Sequence, residues 1–138
     1  MYLMDTDILI YSLKGDPTVI ENIKQHASDP KAISVVTYGE LIFGAQRSQK
    51  ITENLAKIHR LKEIFPLIDI TPSIMETFGS IKADLQKNGT PVDDFDLLIG
   101  ATGLTMGYCI ATNNEKHFKK IPGLKIVNWT KSFNANQN

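Results

Sequence analysis

The chain has 138 residues, of which 42% are hydrophobic and 22% charged, and 15 acidic residues balance 15 basic ones. That length supports one domain with one sizeable core, and the composition excludes a disordered chain or a fibre. A single cysteine excludes a disulfide-stapled secreted module and a cysteine-based zinc site. Asp5 and Asp7 interrupt the apolar stretch that a signal peptide would need, so a cytoplasmic protein is expected. A net charge of zero argues against a strongly basic nucleic-acid binder. The charge is nevertheless uneven: residues 1–96 hold 10 bases and 14 acids, residues 97–138 five bases and one acid. This permits an anionic partner near the C-terminal third.

In chain order, Tyr2 to Met4 is a short apolar run that predicts a strand ending at Asp5, followed by a helix to Lys14. Asp16-Pro17 supplies an N-cap and a first-turn proline for a helix to about Ala27. Residues 32–36 are apolar and β-branched and predict a buried strand, with a helix from Thr37 to about Ser48. An amphipathic helix follows over 52–64, then a strand over 67–70. Thr71-Pro72 opens a helix that Asn88-Gly89 closes. Residues 94–106 predict an apolar helix, 108–111 a strand, 114–121 a short helix and 125–127 a last strand; Trp129 is expected to close the core. Residues 97–114 are uncharged and reach about the minimum length of a membrane span. Three glycines, three threonines and two asparagines there mark a buried helix running into a buried strand instead.

Strands separated by helical crossovers imply a three-layer α/β/α domain with a mainly parallel central sheet of about five strands. No repeat or composition break divides it, so one domain is expected over 1–133, with a frayed tail over 134–138. Ligands of such sheets bind beyond the carboxyl ends of the strands. Acids at the strand-to-helix joints therefore gather at one pole: Asp5 and Asp7 at the first, Glu40 one turn into the next helix, and Asn113, Asn114 and Glu115 after the strand 108–111. The helix carrying Asp93, Asp94 and Asp96 follows another helix, so this rule does not place it. Carboxylates gathered this way repel one another unless a cation neutralises them, and hard oxygen donors suit Mg²⁺ or Mn²⁺.

Local roles compete with this chemistry. Thr37-x-x-Glu40 and Thr112-x-x-Glu115 have the form of capping boxes, and Asp93, Asp94 and Asp96 suit the positive end of a helix dipole. Asp5 is harder to explain locally, because an aspartate ending a buried strand is costly unless something uses it. Gly100, Gly103 and Gly107 continue the helical face of Asp96 as a stripe that allows close approach of backbone or ligand, or tight packing against another helix. Arg47 shares a face with Glu40 and Gly44, which suits a phosphate anchor or an ordinary solvated arginine. Cys109 reads as a structural thiol, and His26 and His59 as surface positions. His117 follows the strand at the acid-rich pole.

Four stretches together resemble the PIN-domain family. They are the strand ending in Asp5-Thr6-Asp7, the run Ile33 to Ala45 around Glu40, the run Gly89 to Ala101 around Asp96, and Thr112-Asn113-Asn114 through Phe118. Their order and spacing run to about Trp129, and the nearest branch is the VapC-type toxins of bacterial toxin–antitoxin pairs. The resemblance implies a Mg²⁺-dependent endoribonuclease, with Mn²⁺ as a substitute. It also implies a cognate antitoxin that blocks the site, and a homodimer. Its catalytic and metal-binding acids match Asp5, Glu40 and Asp96, which puts the Asp96 helix at the same pole. Asp7 stands where the family often has asparagine. Where many members have a fourth acid, this chain offers Asn113, Asn114, Glu115 and His117. One held ion is therefore expected, with Asn114 or His117 positioning water or substrate. Two rivals stand beside this: a haloacid-dehalogenase-like phosphohydrolase, from the D-x-D start, and a non-catalytic interaction module whose acids are all caps.

Overall fold

The computed structural model describes residues 1–132, so the expected tail over 134–138 lies outside the described residues. The chain runs β1 (Tyr2–Met4), α1 (Thr6–Leu13), α2 (Pro17–Gln25), β2 (Lys31–Ser34), α3 (Val35–Gln46), α4 (Ile51–Ile64), β3 (Leu67–Ile68), α5 (Pro72–Lys87), α6 (Asp94–Met106), β4 (Cys109–Ala111), α7 (Glu115–Phe118) and β5 (Ile126–Val127). The five strands are parallel in the order β3-β2-β1-β4-β5.

Alternation along the strands gives the sheet two cores. Met4, Ile33 and Ala111 face Ile8, Leu9, Val19, Leu41, Ile58 and Trp129, from α1 to α4 and the C-terminal segment. Leu3, Ala32 and Ile110 face Leu85, Leu97, Ile99 and Phe118, from α5, α6 and α7. Helices on both faces give the three expected layers. Among the described residues no helix is long and apolar enough to cross a membrane.

The helix starts follow local chemistry. Asp16 Oδ1 accepts from Val19 N at 3.0 Å, and Thr71 Oγ1 accepts from Ile74 N at 3.2 Å, each just before a first-turn proline. Gly107 ends α6 with φ 72°, a left-handed conformation that suits glycine. Several boundaries differ from expectation, among them the end of β3, at Ile68 rather than residue 70. β2 stops at Ser34, whose Oγ accepts from Val36 N at 3.1 Å, so Val35 and Val36 open α3 rather than ending the strand. The cap at Ser34 and the burial of Thr37 within the first turn outweigh the β-preference of the two valines. α7 is also shorter than expected, one turn over Glu115–Phe118. His26 is no plain surface residue: it is half-buried, with its ring stacked on Trp129 at 5.0 Å. His59 is exposed, as expected.

Two glycines of the stripe, Gly100 and Gly103, serve close packing, mainly against β4 and the chain after α7 rather than against another helix, whereas a Cβ on Gly107 would meet nothing within 4 Å. A Cβ on Gly100 would meet Ile121 Cδ1 at 2.5 Å; one on Gly103 would meet Ile110 Cδ1 at 2.7 Å and the carbonyl oxygen of Tyr108 at 3.2 Å. Gly103→Val should therefore destabilise the fold by about 2 kcal/mol, the strain of overpacking exceeding any gain in helix propensity. Urea denaturation measures this, and an unchanged midpoint would show that the packing yields.

Candidate active site

The strand order reverses between β1 and β4, because the chain first builds outward through β2 and β3 and then returns to the other side of β1. Such a reversal opens a crevice at the carboxyl ends of the two strands. Asp5 stands there directly after β1, with its N–H donating to the Ala111 carbonyl at 2.9 Å. It is 4% exposed. Its Oδ1 accepts from Thr6 N at 2.8 Å and its Oδ2 from Thr112 Oγ1 at 2.7 Å.

Asp7, in the first turn of α1, accepts on Oδ2 from Asn113 N at 3.1 Å, while its buried Oδ1 has no hydrogen-bond partner among the described residues. Glu40 reaches in from α3, its Oε1 accepting from Thr6 Oγ1 at 2.7 Å. Because α3 is capped by Ser34, Glu40 lies beyond the capping position, and the Thr37-x-x-Glu40 box does not form.

The three aspartates at the start of α6 divide by role. Asp93 is the N-cap, its Oδ2 accepting from Phe95 N at 3.2 Å, and Asp94 pairs with Lys82 Nζ at 2.9 Å on the surface. Asp96 turns to the cleft, its Oδ2 accepting from Asn114 Nδ2 at 3.2 Å and lying 3.0 Å from His117 Nδ1. The start of α6 is thus at the same pole as the joints, as the family resemblance implied.

Asp5, Asp7, Glu40 and Asp96 line one cleft of about 350 Å³ together with Thr6, Ile10, Asn113 and Asn114. Burial, then the neighbouring charges of Asp7 and Asp96, push the Asp5 carboxyl up to about 7, against the pull of its Thr112 and Thr6 bonds. Burial raises Asp7 and Glu40 as well, with Asp96 adding to both. So the cleft holds more negative charge than it can solvate, and one carboxylate oxygen has no partner among the described residues. That donor set fits a hard divalent cation. Among the described residues no three His, Cys, Asp or Glu side chains are drawn into a ready-made metal cluster; the acids frame a cleft rather than a closed shell.

Other expected residues fall outside it. Arg47 is exposed at the end of α3, its guanidinium 5.5 Å from the centre of the Phe43 ring, and does not line the cleft. Glu115 does not complete a capping box: Thr112 Oγ1 accepts from Asn114 N, and Glu115 Oε2 accepts from Asn128 Nδ2 at 3.0 Å and pairs with Lys131 at 2.9 Å. Asn113, by contrast, lines the cleft, but its Oδ1 is turned to Asn128 and Thr130, from which it accepts, and its backbone N–H donates to Asp7. Cys109 sits in β4, its thiol pushed up by burial. Thr6 and Thr112 carry the cleft's hydroxyl donors, a role the sequence reading gives to neither. The signal available was their position, each at the carboxyl end of a strand flanking the reversal.

The PIN domain family model matches residues 2–124. The tRNA(fMet)-specific endonuclease VapC of Shigella flexneri is 32% identical over 129 residues, covering 94% of this chain and 98% of that protein. Ribonuclease VapC1 of Haemophilus influenzae (strain R2866) is 33% identical over 133 residues, covering 95% and 99%. Among solved structures, VapBC2 from Rickettsia felis bound to a DNA fragment from their promoter aligns with a TM-score of 0.87 at 28% identity, over 93% of this chain and 98% of that one. VapBC from Salmonella typhimurium, also bound to DNA, aligns at 0.86 and 31% identity, covering 93% and 97%. These likenesses leave the dehalogenase-like and all-cap readings without support. With the family model spanning nearly the whole fold and relatives above 30% identity along nearly their full length, the chain belongs to the PIN-domain family, in its VapC branch.

Proposed function

We propose that the chain is a divalent-metal-dependent endoribonuclease and the toxin of a VapBC-type toxin–antitoxin pair, acting in the cytoplasm. The observation that carries this is the gathering of Asp5, Asp7, Glu40 and Asp96 around one cleft, with a buried Asp7 oxygen left unpartnered among the described residues. Asp5 and Asp96 would hold Mg²⁺, or Mn²⁺ in its place, and Glu40 would bind the same ion directly or through the attacking water. The ion, when bound, supplies polarisation of a scissile phosphate and a more acidic water.

The chain's own residues prepare the cleft for this. Thr112 and the Thr6 N–H fix both oxygens of Asp5, and the Thr6 hydroxyl turns Glu40 inward. Asn114 and His117 engage Asp96 from the opposite wall. The lysines of the C-terminal third, with five bases to one acid over 97–138, supply the attraction for an RNA backbone. Arg47 takes no part in this account, since it lies on the outer surface beside Phe43.

The named activity of the Shigella relative makes initiator tRNA the first substrate to test. The structural neighbours are VapBC complexes, which supports a cognate antitoxin as partner, and by the family resemblance it would block the acidic cleft. A homodimer belongs to the same proposal.

Expression in bacteria should arrest growth, co-expression of the neighbouring reading frame should relieve the arrest, and Asp96→Asn should be harmless. In vitro, EDTA should stop cleavage of tRNA by the purified protein and Mg²⁺ should restore it. Cleavage that persists in EDTA, or arrest that persists in Asp96→Asn, would refute the proposal.

A further inference from the structure

Asp96 is held differently from the other acids of the cleft. Asp5 is engaged on both oxygens, and Glu40 by a hydroxyl from α1. Asp96 takes both of its contacts on one oxygen, Oδ2, from Asn114 Nδ2 at 3.2 Å and His117 Nδ1 at 3.0 Å. Among the described residues no hydrogen bond engages its Oδ1.

The imidazole geometry fixes which way its proton lies. Nδ1 is also 2.9 Å from Asn114 Nδ2, so on distance alone it could accept from the amide or donate to the carboxylate. A bare Nδ1 would set two lone pairs against each other across 3.0 Å. A proton on Nδ1 instead gives Asp96 a donor, which is the arrangement a carboxylate neighbour selects. Two donors then converge on Oδ2, one from each end of a four-residue stretch, and the other oxygen stays free. An acid at position 117 would place one more negative charge beside Asp96, in a cleft already lined by four carboxylates. Histidine supplies a donor without adding that charge.

We infer that His117 is a positioning residue, which with Asn114 holds Asp96 Oδ2 toward α7 and so keeps Oδ1 presented to a cation in the cleft. This rests on the proposed metal site, and it deepens that proposal by assigning the orientation of one ligand to a residue outside the acidic set. Carboxylates that ligate metals depend on such partners, and removing one typically weakens metal binding about 10- to 100-fold.

The test is Mn²⁺ binding to the full chain, followed by electron paramagnetic resonance, in wild type, His117→Ala, His117→Asn and His117→Gln. The His117 side chain is 43% exposed, so these variants should fold, and circular dichroism without metal checks this. His117→Ala should bind Mn²⁺ about tenfold more weakly. His117→Asn carries its amide nitrogen where Nδ1 stands and should recover to within about threefold of wild type, while His117→Gln, whose donor lies one bond further out, should not. His117→Ala within about twofold of wild type, or no recovery by asparagine, overturns the inference while leaving the metal site standing. Failure of the wild type itself to bind Mn²⁺ overturns the proposed function and this inference together.

Discussion

Asp5→Asn will abolish RNA cleavage and, at pH 8 without metal, make the fold more stable than wild type. The substitution keeps a bond at both side-chain positions of residue 5, although the Thr112 hydroxyl proton loses its acceptor. The asparagine carbonyl can accept from Thr6 N as Oδ1 does, and its amide can donate to Thr112 Oγ1, which then accepts instead of donating. What disappears is a charge in a buried place. In wild type the folded carboxyl is raised from 3.8 to about 7 by burial and by the charges of Asp7 and Asp96. Between those two values the folded state holds a proton that the unfolded chain has released, so stability falls as pH rises. The contribution is complete below about pH 4 and lost once pH has passed about 7. Its size is on the order of 4 kcal/mol. Urea denaturation in EDTA should therefore find Asp5→Asn more stable than wild type by a few kcal/mol at pH 8, with the difference gone near pH 4. Cleavage should fall by roughly a thousandfold, the scale on which lost transition-state electrostatics is felt. Equal stability at pH 8 would mean that Asp5 is better solvated than its 4% exposure implies.

The cost of burying these charges explains which parts of the cleft could be read from sequence. Asp5 was legible because its cost is local: a charge at the end of an apolar strand has no structural excuse. The joint rule placed Glu40 for a topological reason, and the same topology, with β1 between β2 and β4, brings it to Thr6. The competing capping box looked equally good only because Val35 and Val36 suit a strand. Once Ser34 takes the cap, Thr37 is buried inside the helix and Glu40 is free to face the cleft. The three acids of α6 could not be sorted from sequence, since all favour a helix start; one caps, one pairs with Lys82, and Asp96 alone turns inward. Only the family resemblance put that helix at this pole. The hydroxyls of Thr6 and Thr112 were out of reach because their bonds span 34 and 107 positions, a separation that local pattern does not report. The two-donor grip on Asp96 was likewise hidden, although His117 had been marked as a neighbour of the acids.

The affinity for a divalent ion should fall about tenfold for each pH unit below 7 and level off above it. An ion that binds these carboxylates must displace whatever proton Asp5 carries, and with its carboxyl raised to about 7 that proton is present throughout the mildly acidic range. Asp7 and Glu40 are raised in the same direction, so the slope should steepen at lower pH as further protons compete. Calorimetric titration with Mg²⁺ and with Mn²⁺ at pH 6, 7 and 8 measures this, and proton release at pH 6 should accompany binding. Ion binding should also reverse the destabilisation that the bare acids impose: at a concentration one hundred times Kd it adds about 2.7 kcal/mol to the folded state. Asp5→Asn separates the contributions, because it removes the proton with the highest affinity and one of the ion's proposed ligands at once. Its residual binding should be weak and should vary less with pH between 6 and 8 than that of wild type. Wild-type affinity that does not vary from pH 6 to 8 would show that the ion is bound without Asp5, and the mutual repulsion of the buried acids would then have no role in holding it.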